Sequence, residues 1–509
     1  MVGYILNLEK VKAENGINCE KDVDCVGKLY ALKNIEFIKE LNGIFSVFIF
    51  DYKIGKGYIF QDQRGSSLPM YYSNNKNHFI FSTSLKMFLK HSLLKRQLNI
   101  NAARDFLYNR NTISTKETLL KDIYKLLPGE LLTVDLNSRS VEITAISRKT
   151  SSIPLDQAEG KQIDSIRSSI SNILSKLIKK DVAQTLSAGF DTNLILHILK
   201  EDGDAQINAF TLGGRDINEA PAAQEIVKAG YAGVKHVAKI IDENILDSFP
   251  DIVWRLEGYV YERGLLLQYE LARLLSLEGY TSVFLGECAN QIITSSTGRE
   301  TKLKKFIKMS FIGDIYYTFV KKNKEPPTTS TESKFLLPFY NHNLKPGNYN
   351  IEIDYILKKS GIMLNSFGIE GLYPFLDEYV RIIFKTLKEA KGRRRYFNAY
   401  DPIGDYRERV RKEVGAAVAA HLTKVGGSTD LGYSFNAKFV LIKNIFHSSI
   451  IKEILNSKQI NIISHHPERY RLVILHLLYL FLFNELFISS KFDSLFDRPG
   501  ISIQLKDFL

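Results

Sequence analysis

Thr185-Leu186-Ser187-Ala188-Gly189-Phe190-Asp191-Thr192-Asn193 is the stretch that decides the fold. An apolar run, Val182–Leu186, reads as a strand, and apolar residues at helical spacing resume from Asn193 to Lys200. The corner between them is built of small residues. Small residues let the backbone turn tightly and aim successive N–H groups at one point, and a helix N-terminus adds its positive end. The Ser187 and Thr192 hydroxyls can donate to phosphate oxygens. Asp191 would repel a phosphate unless a cation stood between them, so it reads as a magnesium ligand. The pattern is not the P-loop that ends in Gly-Lys-Ser/Thr. An ordinary strand–turn–helix corner has the same appearance, and this stretch alone leaves the two readings level.

Outward from this corner, strand and helix alternate. An amphipathic helix is expected over Ile163–Ile178, a strand over Ile207–Leu212 and a helix over Ala220–Ala229. That alternation predicts a parallel α/β sheet. A second apolar strand opens into small and polar residues at Ser282-Val283-Phe284-Leu285-Gly286-Glu287-Cys288-Ala289-Asn290-Gln291. Ligands of open parallel sheets sit beyond the carboxyl ends of the strands, so the two loops are expected to face one crevice. Glu287 is either part of that crevice or a solvated loop acid. Beyond Gly286 the chain reads as mostly helical. Leu472–Phe483 is continuously apolar apart from one His, too short to span a bilayer, and is expected to be a buried core helix.

The first ~150 residues read differently. Short β-like runs recur at Ile44–Phe50, Gly57–Phe60, His78–Ser82 and Glu130–Val134, with a turn at Pro128-Gly129. They predict a layered, sheet-dominated domain with few helices. The polar stretch Arg148–Pro154 is expected to be a linker, and Lys321–Lys334 a loop. The division that follows is residues 1–150 and 160–509, an α+β domain of antiparallel sheet followed by an α/β domain with a parallel sheet and a helical remainder. At 509 residues, 45% hydrophobic and 24% charged, the composition excludes a disordered chain, a collagen and a disulfide scaffold. Only three cysteines occur, Cys19, Cys25 and Cys288, in no metal-like spacing, so neither a disulfide nor a zinc site is expected. The net charge of +12 suits an anionic partner, and the run Lys391-Gly392-Arg393-Arg394-Arg395 is either a solvated loop or a phosphate contact. No nucleic-acid signature and no signal peptide are read, and the expected location is the cytoplasm.

Taken in order, Ser187–Thr192, Gly286–Asn290, Glu370 with Pro374-Phe375-Leu376-Asp377, and Lys424-Val425-Gly426 resemble the asparagine synthetase superfamily. Its Ser-Gly-Gly-X-Asp-Ser loop has Ala188 and Thr192 substituted here. Its Gly-Glu-Gly-Ala-Asp-Glu element appears as Gly286–Gln291, and its Pro-Phe-Leu-Asp element is intact. The amino-terminal part resembles the class II glutamine amidotransferase domain, an Ntn-hydrolase-like fold. The carriers are Leu41-Asn42-Gly43-Ile44-Phe45, Asp62-Gln63-Arg64-Gly65 with Pro69-Met70-Tyr71-Tyr72, Phe81–Lys86 and Leu127-Pro128-Gly129.

The resemblance implies an ATP-pyrophosphatase (PP-loop) domain that makes amide bonds, a carbon–nitrogen ligase using ATP and Mg2+. It implies pyrophosphate binding by Ser187, Gly189, Asp191 and Thr192, and an adenine and ribose site lined by Leu186, Leu212 and Gly286. Metal would sit at Asp191 and Asn290, Glu287 and Lys424 would be catalytic, and Glu370 would face the acceptor or support the fold.

Two departures bear on chemistry. The family's amidotransferase nucleophile is a Cys directly after the initiator Met, and Val2 stands there. Val cannot attack a carboxamide, so glutamine hydrolysis is expected to be absent, as in β-lactam synthetases and lasso peptide cyclases. The family's magnesium-site Asp is Asn290, followed by Gln291 rather than Glu, and an Arg common before the Pro-Phe-Leu-Asp element is replaced by Leu372. A non-catalytic binding or partner homologue that kept the fold therefore stays open beside the synthetase. The acceptor is left open among aspartate, a precursor peptide closed into a macrolactam, a β-amino acid and a sugar uronic acid. The amine is left open between ammonia and a substrate amine. Expected associates are a second copy or biosynthetic partner proteins, with no nucleic acid and no membrane span.

Overall fold

Strands in the first 146 residues are β1 (Val2–Ile5), β2 (Gly43–Asp51), β3 (Lys56–Gln61), β4 (Tyr71–Asn75), β5 (His78–Ser82), β6 (Tyr124–Lys125), β7 (Glu130–Asp135) and β8 (Ser140–Ala145). The computed structural model describes residues 1–63, 65, 67–75, 78–108, 116–146, 153–175, 177, 181–201, 206–214, 218–241, 247–258, 265–293, 351–393, 402–423, 444–465 and 471–490. Most of the expected linker, the Lys321–Lys334 loop, Lys424-Val425-Gly426, and Arg64, Arg394 and Arg395 lie outside the described residues.

β2 is buried over its first five residues because both of its faces are covered, and its burial becomes patchy from Phe48 onward. It lies in an antiparallel sheet of order β1-β2-β3-β7-β8. On one face, Phe45, Val47 and Phe60 pack with Leu8, Val11, Val26 and Leu29 of the helices Leu8–Asn15 and Asp22–Lys33. On the other, Ile59 and Leu132 meet Met70 and, from the three-stranded sheet β5-β4-β6, Tyr72. The layers are those expected. The helices are more numerous than expected, because their mostly polar sequences carry only a narrow apolar stripe.

One expectation is overturned. Cys19 and Cys25 are joined in a disulfide, with Cα atoms 5.5 Å apart. The turn into the helix Asp22–Lys33 folds Cys19 back against the helix's first turn, and both sulfurs are buried in the same apolar cluster.

The second domain carries β9 (Asp181–Thr185), β10 (Gln206–Gly214), β11 (Lys235–Ile241), β12 (Ser282–Phe284) and β13 (Glu370–Leu372) in a wholly parallel sheet of order β11-β10-β9-β12-β13. The chain runs outward from β9 to β11 and then returns to the other side of β9 with β12. The reversal between β9 and β12 is the topological switch point where such sheets bind ligands. The run Arg471–Phe483 is a helix, buried along its described length as expected, and among the described residues no helix is long and apolar enough to cross a membrane. The backbone of Lys391-Gly392-Arg393 is the end of the helix Glu378–Arg393 rather than a loop.

The domains share one core. Ile44, Phe88, Phe106 and Leu119 belong to the same apolar cluster as Val182, Phe284, Trp254 and Tyr479. Polar contacts fix the register between them. The Tyr373 N–H donates to the Tyr4 hydroxyl at 2.9 Å, and Arg104 donates to the Glu453 and Ile454 carbonyls. Glu257, at the end of the helix Phe249–Leu256, accepts from the Ser84 hydroxyl at 2.7 Å and from Leu85 N, and pairs with Lys86 Nζ at 3.3 Å. Gly361 is obligatory at this seam, since a Cβ there would stand 2.3 Å from the Ser67 carbonyl oxygen.

Candidate active site

The loop after β9 is held by its own side chains. The Ser187 and Thr192 hydroxyls lie 3.0 Å apart, Gly189 N donates to Ser187 Oγ at 3.1 Å, and Asn193 Nδ2 donates to the Ser187 and Gly189 carbonyls at 2.8 and 2.7 Å. The Leu186 carbonyl accepts the Thr211 hydroxyl at 2.8 Å, tying the loop to β10. Ala188 does not require a left-handed backbone, so the replacement of a family Gly costs no strain there. The Ala188 carbonyl accepts from Thr423 N at 2.8 Å. Thr423 directly precedes Lys424 in the sequence.

The loop after β12 meets the first closely. A Cβ on Gly286 would come within 2.8 Å of Thr192 Cγ2, so only glycine lets the two loops approach this far. Cys288 takes φ +66°, a left-handed conformation that disfavours a side chain, at the position where the family has Gly. Glu287 Oε1 accepts from Gln268 Nε2 at 2.6 Å.

Both loops open on one cavity of about 500 Å3. Leu186, Ser187, Gly189, Asp191, Thr192, Leu212, Gly286, Glu287 and Asn290 all line it, so nine of the eleven residues singled out in the sequence are brought together. Of the other two, Lys424 lies outside the described residues. Glu370 sits on β13, where its charge is felt by the Tyr4 hydroxyl, and it is not among the residues lining the cavity. The Pro-Phe-Leu-Asp element is structural here. Pro374, Phe375 and Leu376 are buried, and Asp377 Oδ1 accepts from Tyr379 N at the start of the helix Glu378–Arg393. Leu372 is buried in the sheet, a place where a guanidinium would be costly.

Among the lining residues without a sequence signal, three bear on Asp191 and Glu287. Tyr406 and Arg407, on the helix Pro402–Ala419, reach Asp191 from a part of the chain with no motif, and Gln268 comes from the apolar helix Leu265–Leu277. The Tyr406 hydroxyl donates to Asp191 Oδ1 at 3.0 Å. Burial pushes the Asp191 carboxyl up to about 6, against the Tyr406 hydrogen bond and the positive charge of Arg407. An anion so poorly solvated is stabilised by a cation at contact distance. Asp191 and Asn290 line the same cavity, and a carboxylate with a side-chain amide offers oxygen donors of the kind that could hold Mg2+.

A parallel-sheet domain with a phosphate-type loop at its switch point is thus fused to a two-layered antiparallel domain. Residues 1–144 match the glutamine amidotransferase domain family, and residues 177–330 match the asparagine synthase family. The two matched regions thus bring a glutamine amidotransferase-like and an asparagine synthase-like region together in one chain. It is 26% identical over 217 residues to a Methanocaldococcus jannaschii protein named, provisionally, as a second glutamine-hydrolysing asparagine synthetase, covering 42% of each chain. It is 25% identical over 225 residues to the glutamine-hydrolysing asparagine synthetase 2 of Bacillus subtilis, covering 41% of this chain and 30% of that one. It is 30% identical over 175 residues to the microcin J25-processing protein McjC of Escherichia coli, covering 33% and 31%. The chain thus spans less than half the length of each of these relatives.

Proposed function

We propose that this chain is an ATP-dependent amide-forming synthetase that activates a carboxylate as an acyl-adenylate. The observation that carries the reading is the meeting of the Ser187–Thr192 loop and Glu287 in one cavity at the switch point. A carboxylate oxygen attacks the α-phosphorus of ATP, the bond to the bridging β-phosphate oxygen breaks, and pyrophosphate leaves. The hydroxyls and N–H groups of Ser187–Thr192 hold the departing phosphates. Asp191, together with Asn290, would hold magnesium, which when bound neutralises charge on the phosphates. Leu186, Leu212 and Gly286 flank the nucleoside, and Lys424, following Thr423, supplies positive charge over the intermediate. An amine then attacks the acyl carbon, AMP leaves with the C–O electron pair, and Glu287 takes the proton released from nitrogen.

The nitrogen comes from ammonia or a substrate amine rather than from glutamine. Beyond Val2, the cysteines of residues 1–144 are Cys19 and Cys25, and these are paired with each other. A disulfide sulfur is not a nucleophile. The similarity to McjC favours a peptide carboxylate among the open acceptors.

The test incubates the protein with ATP, MgCl2 and a panel of carboxylates that includes aspartate, a uronic acid and Asp- or Glu-containing peptides. AMP and pyrophosphate are expected, and release of ADP and phosphate would overturn the reading. Asp191→Ala should lower the rate by about a hundredfold or more, as expected for a lost metal carboxylate at a reacting phosphate. A second reading, a binding partner without turnover, is favoured by the neutral Asn290 and Gln291. ATP binding with no pyrophosphate release from any carboxylate would establish it.

A further inference from the structure

His197 and Glu201 stand one turn apart on the helix Phe190–Glu201, so both project from one face, and Glu413 meets them from the helix Pro402–Ala419. His197 Nε2 lies 3.2 Å from Glu201 Oε1, and one ligand atom from each of the three side chains lies within 4.8 Å of the others. Arg167, from the helix Gln162–Leu174, donates to Glu201 Oε2 at 2.8 Å and to Glu413 Oε1 at 2.6 Å. It engages one oxygen of each carboxylate, while Glu201 Oε1 stays on the imidazole side. A second observation points to the same place. Tyr231 is 3% exposed, its ring meets His197 edge to face at 6.2 Å, and its hydroxyl is buried with no hydrogen-bond partner among the described residues. Burial, and after it the charge of Glu201, pushes that hydroxyl above its ordinary range. A buried hydroxyl without a partner is costly, and the His197–Glu201 pair does not supply one.

We infer that His197, Glu201 and Glu413 form a binding site for a first-row divalent transition ion of the Zn2+ class, with the Tyr231 hydroxyl hydrogen-bonded to a water on the ion. An imidazole with two carboxylates suits zinc, and the nitrogen ligand selects against Mg2+ and Ca2+. Ligands about 2.0–2.1 Å from a tetrahedral Zn2+ stand roughly 3.3 Å from one another. The His197–Glu201 pair already meets that separation, and Glu413, whose side chain is 31% exposed, closes the rest by rotation. Arg167 orients both carboxylates from outside, as the outer partners of metal ligands do. The scarcity of cysteine argues against a thiolate site and does not bear on this one. The ion would staple together two helices that hold the phosphate-type loop, since one carries Asp191 in its first turn and the other presents Tyr406 to Asp191. Glu413 also stands two residues before Gly415, whose φ of +79° interrupts its helix, so the staple sits beside that bend. The site stands apart from the synthetase reading, because none of His197, Glu201, Glu413 and Tyr231 lines the cavity.

The test strips the full chain with EDTA, dialyses it against ZnCl2 in the presence of excess MgCl2, and reads bound zinc by atomic emission and the melting temperature by calorimetry. One zinc per chain and a melting temperature that rises with zinc concentration are expected. His197→Asn and Glu413→Gln should each weaken zinc binding by about tenfold to a hundredfold or more, since loss of an outer partner alone has that effect. Asp191→Asn should bind zinc as the wild type does. Circular dichroism confirms that each variant is folded, and Glu413→Gln, which keeps the side-chain shape, carries the test if His197→Asn proves unstable. Equal zinc affinity in the wild type and Glu413→Gln would overturn the site, and so would zinc lost only in Asp191→Asn, which would place the ion in the cavity. A wild-type chain that retains no zinc would overturn it as well. Tyr231→Phe should weaken binding severalfold, and unchanged affinity there would remove the hydroxyl from the site.

Discussion

Replacing Glu257 by Gln tests whether the two domains are one thermodynamic unit. Glu257 and Lys86 form an ion pair across the seam with only 11% and 13% of their side chains exposed, and Lys86 also lies 4.8 Å over the Trp254 ring. The substitution keeps the shape and an acceptor but removes the charge, leaving the buried Lys86 ammonium without its anionic partner. Breaking a buried pair this way costs 3–5 kcal/mol, and the retained acceptor argues for the lower end, about 3 kcal/mol.

The shift in melting temperature depends on what melts. At about 2.1 cal/mol/K per residue, the unfolding entropy of the whole chain is about 1.1 kcal/mol/K, and that of an amino-terminal part of ~150 residues is about 0.3 kcal/mol/K. A single cooperative transition should therefore move by about 3 °C, and an independently melting amino-terminal domain by about 10 °C. Calorimetry at neutral pH distinguishes them, and the shared core predicts the smaller shift of a single peak. Burial raises the Glu257 pKa against the pull of Lys86, Ser84 and Leu85. The penalty should therefore shrink on acidification, as the wild-type carboxyl itself becomes neutral. An unchanged melting temperature, or a separate early transition, would refute the reasoning.

Asn290→Asp, if the synthetase reading holds, should lower the half-saturating magnesium concentration by about 5- to 150-fold, the worth of ~1–3 kcal/mol for one added charge; an unmoved magnesium titration removes Asn290 from the metal. Purified protein should release no glutamate from glutamine above a blank, with or without dithiothreitol, and reductant-dependent release lost in Cys19→Ala or Cys25→Ala would contradict the disulfide account. The Lys388 amine, which donates to the Ile292 carbonyl, is lowered by burial to about 8, with the positive charge of Arg381 adding to the effect. The folded chain binds fewer protons than the unfolded chain between about pH 8 and 10.5, so stability from this group rises with pH across that window. Denaturant unfolding should show wild type gaining on Lys388→Met by about 1–2 kcal/mol after discounting for solvent screening, and parallel pH profiles would disprove it.

What could be read in advance follows the range of the physics involved. β2, β3, β5, β7, β9, β10 and β12 declare themselves because each is an apolar run bounded by turn residues. β11 was not anticipated, because Lys235, Lys239 and His236 interrupt its pattern at the sheet edge. β13 is only three residues long and exists because β12 pairs with it. The two loops were legible through their small residues and the order of the elements around them. Gln268, Tyr406 and Arg407 were not, since each is an unremarked position on a helix and acquires its role only from what the fold sets opposite it. The Cys19–Cys25 pair escaped because a composition argument about three cysteines says nothing about two of them six residues apart that a turn folds together.

The common core has a consequence for how this protein can be divided. Ile44, Phe88 and Phe106 are fully or almost fully buried in the same cluster as Phe284, Trp254 and Tyr479. Cutting the chain near residue 150 would expose both halves of that interior at once, and apolar patches beyond a few hundred Å2 drive association. The amino-terminal domain is then a wall of the synthetase domain's own interior, whatever chemistry it performs. An expression design that trims it, or a swap that grafts it from a relative, must carry the matching faces of Phe106, His476 and Tyr479 together, as the separate halves would reach the ribosome exit as aggregating fragments rather than as modules.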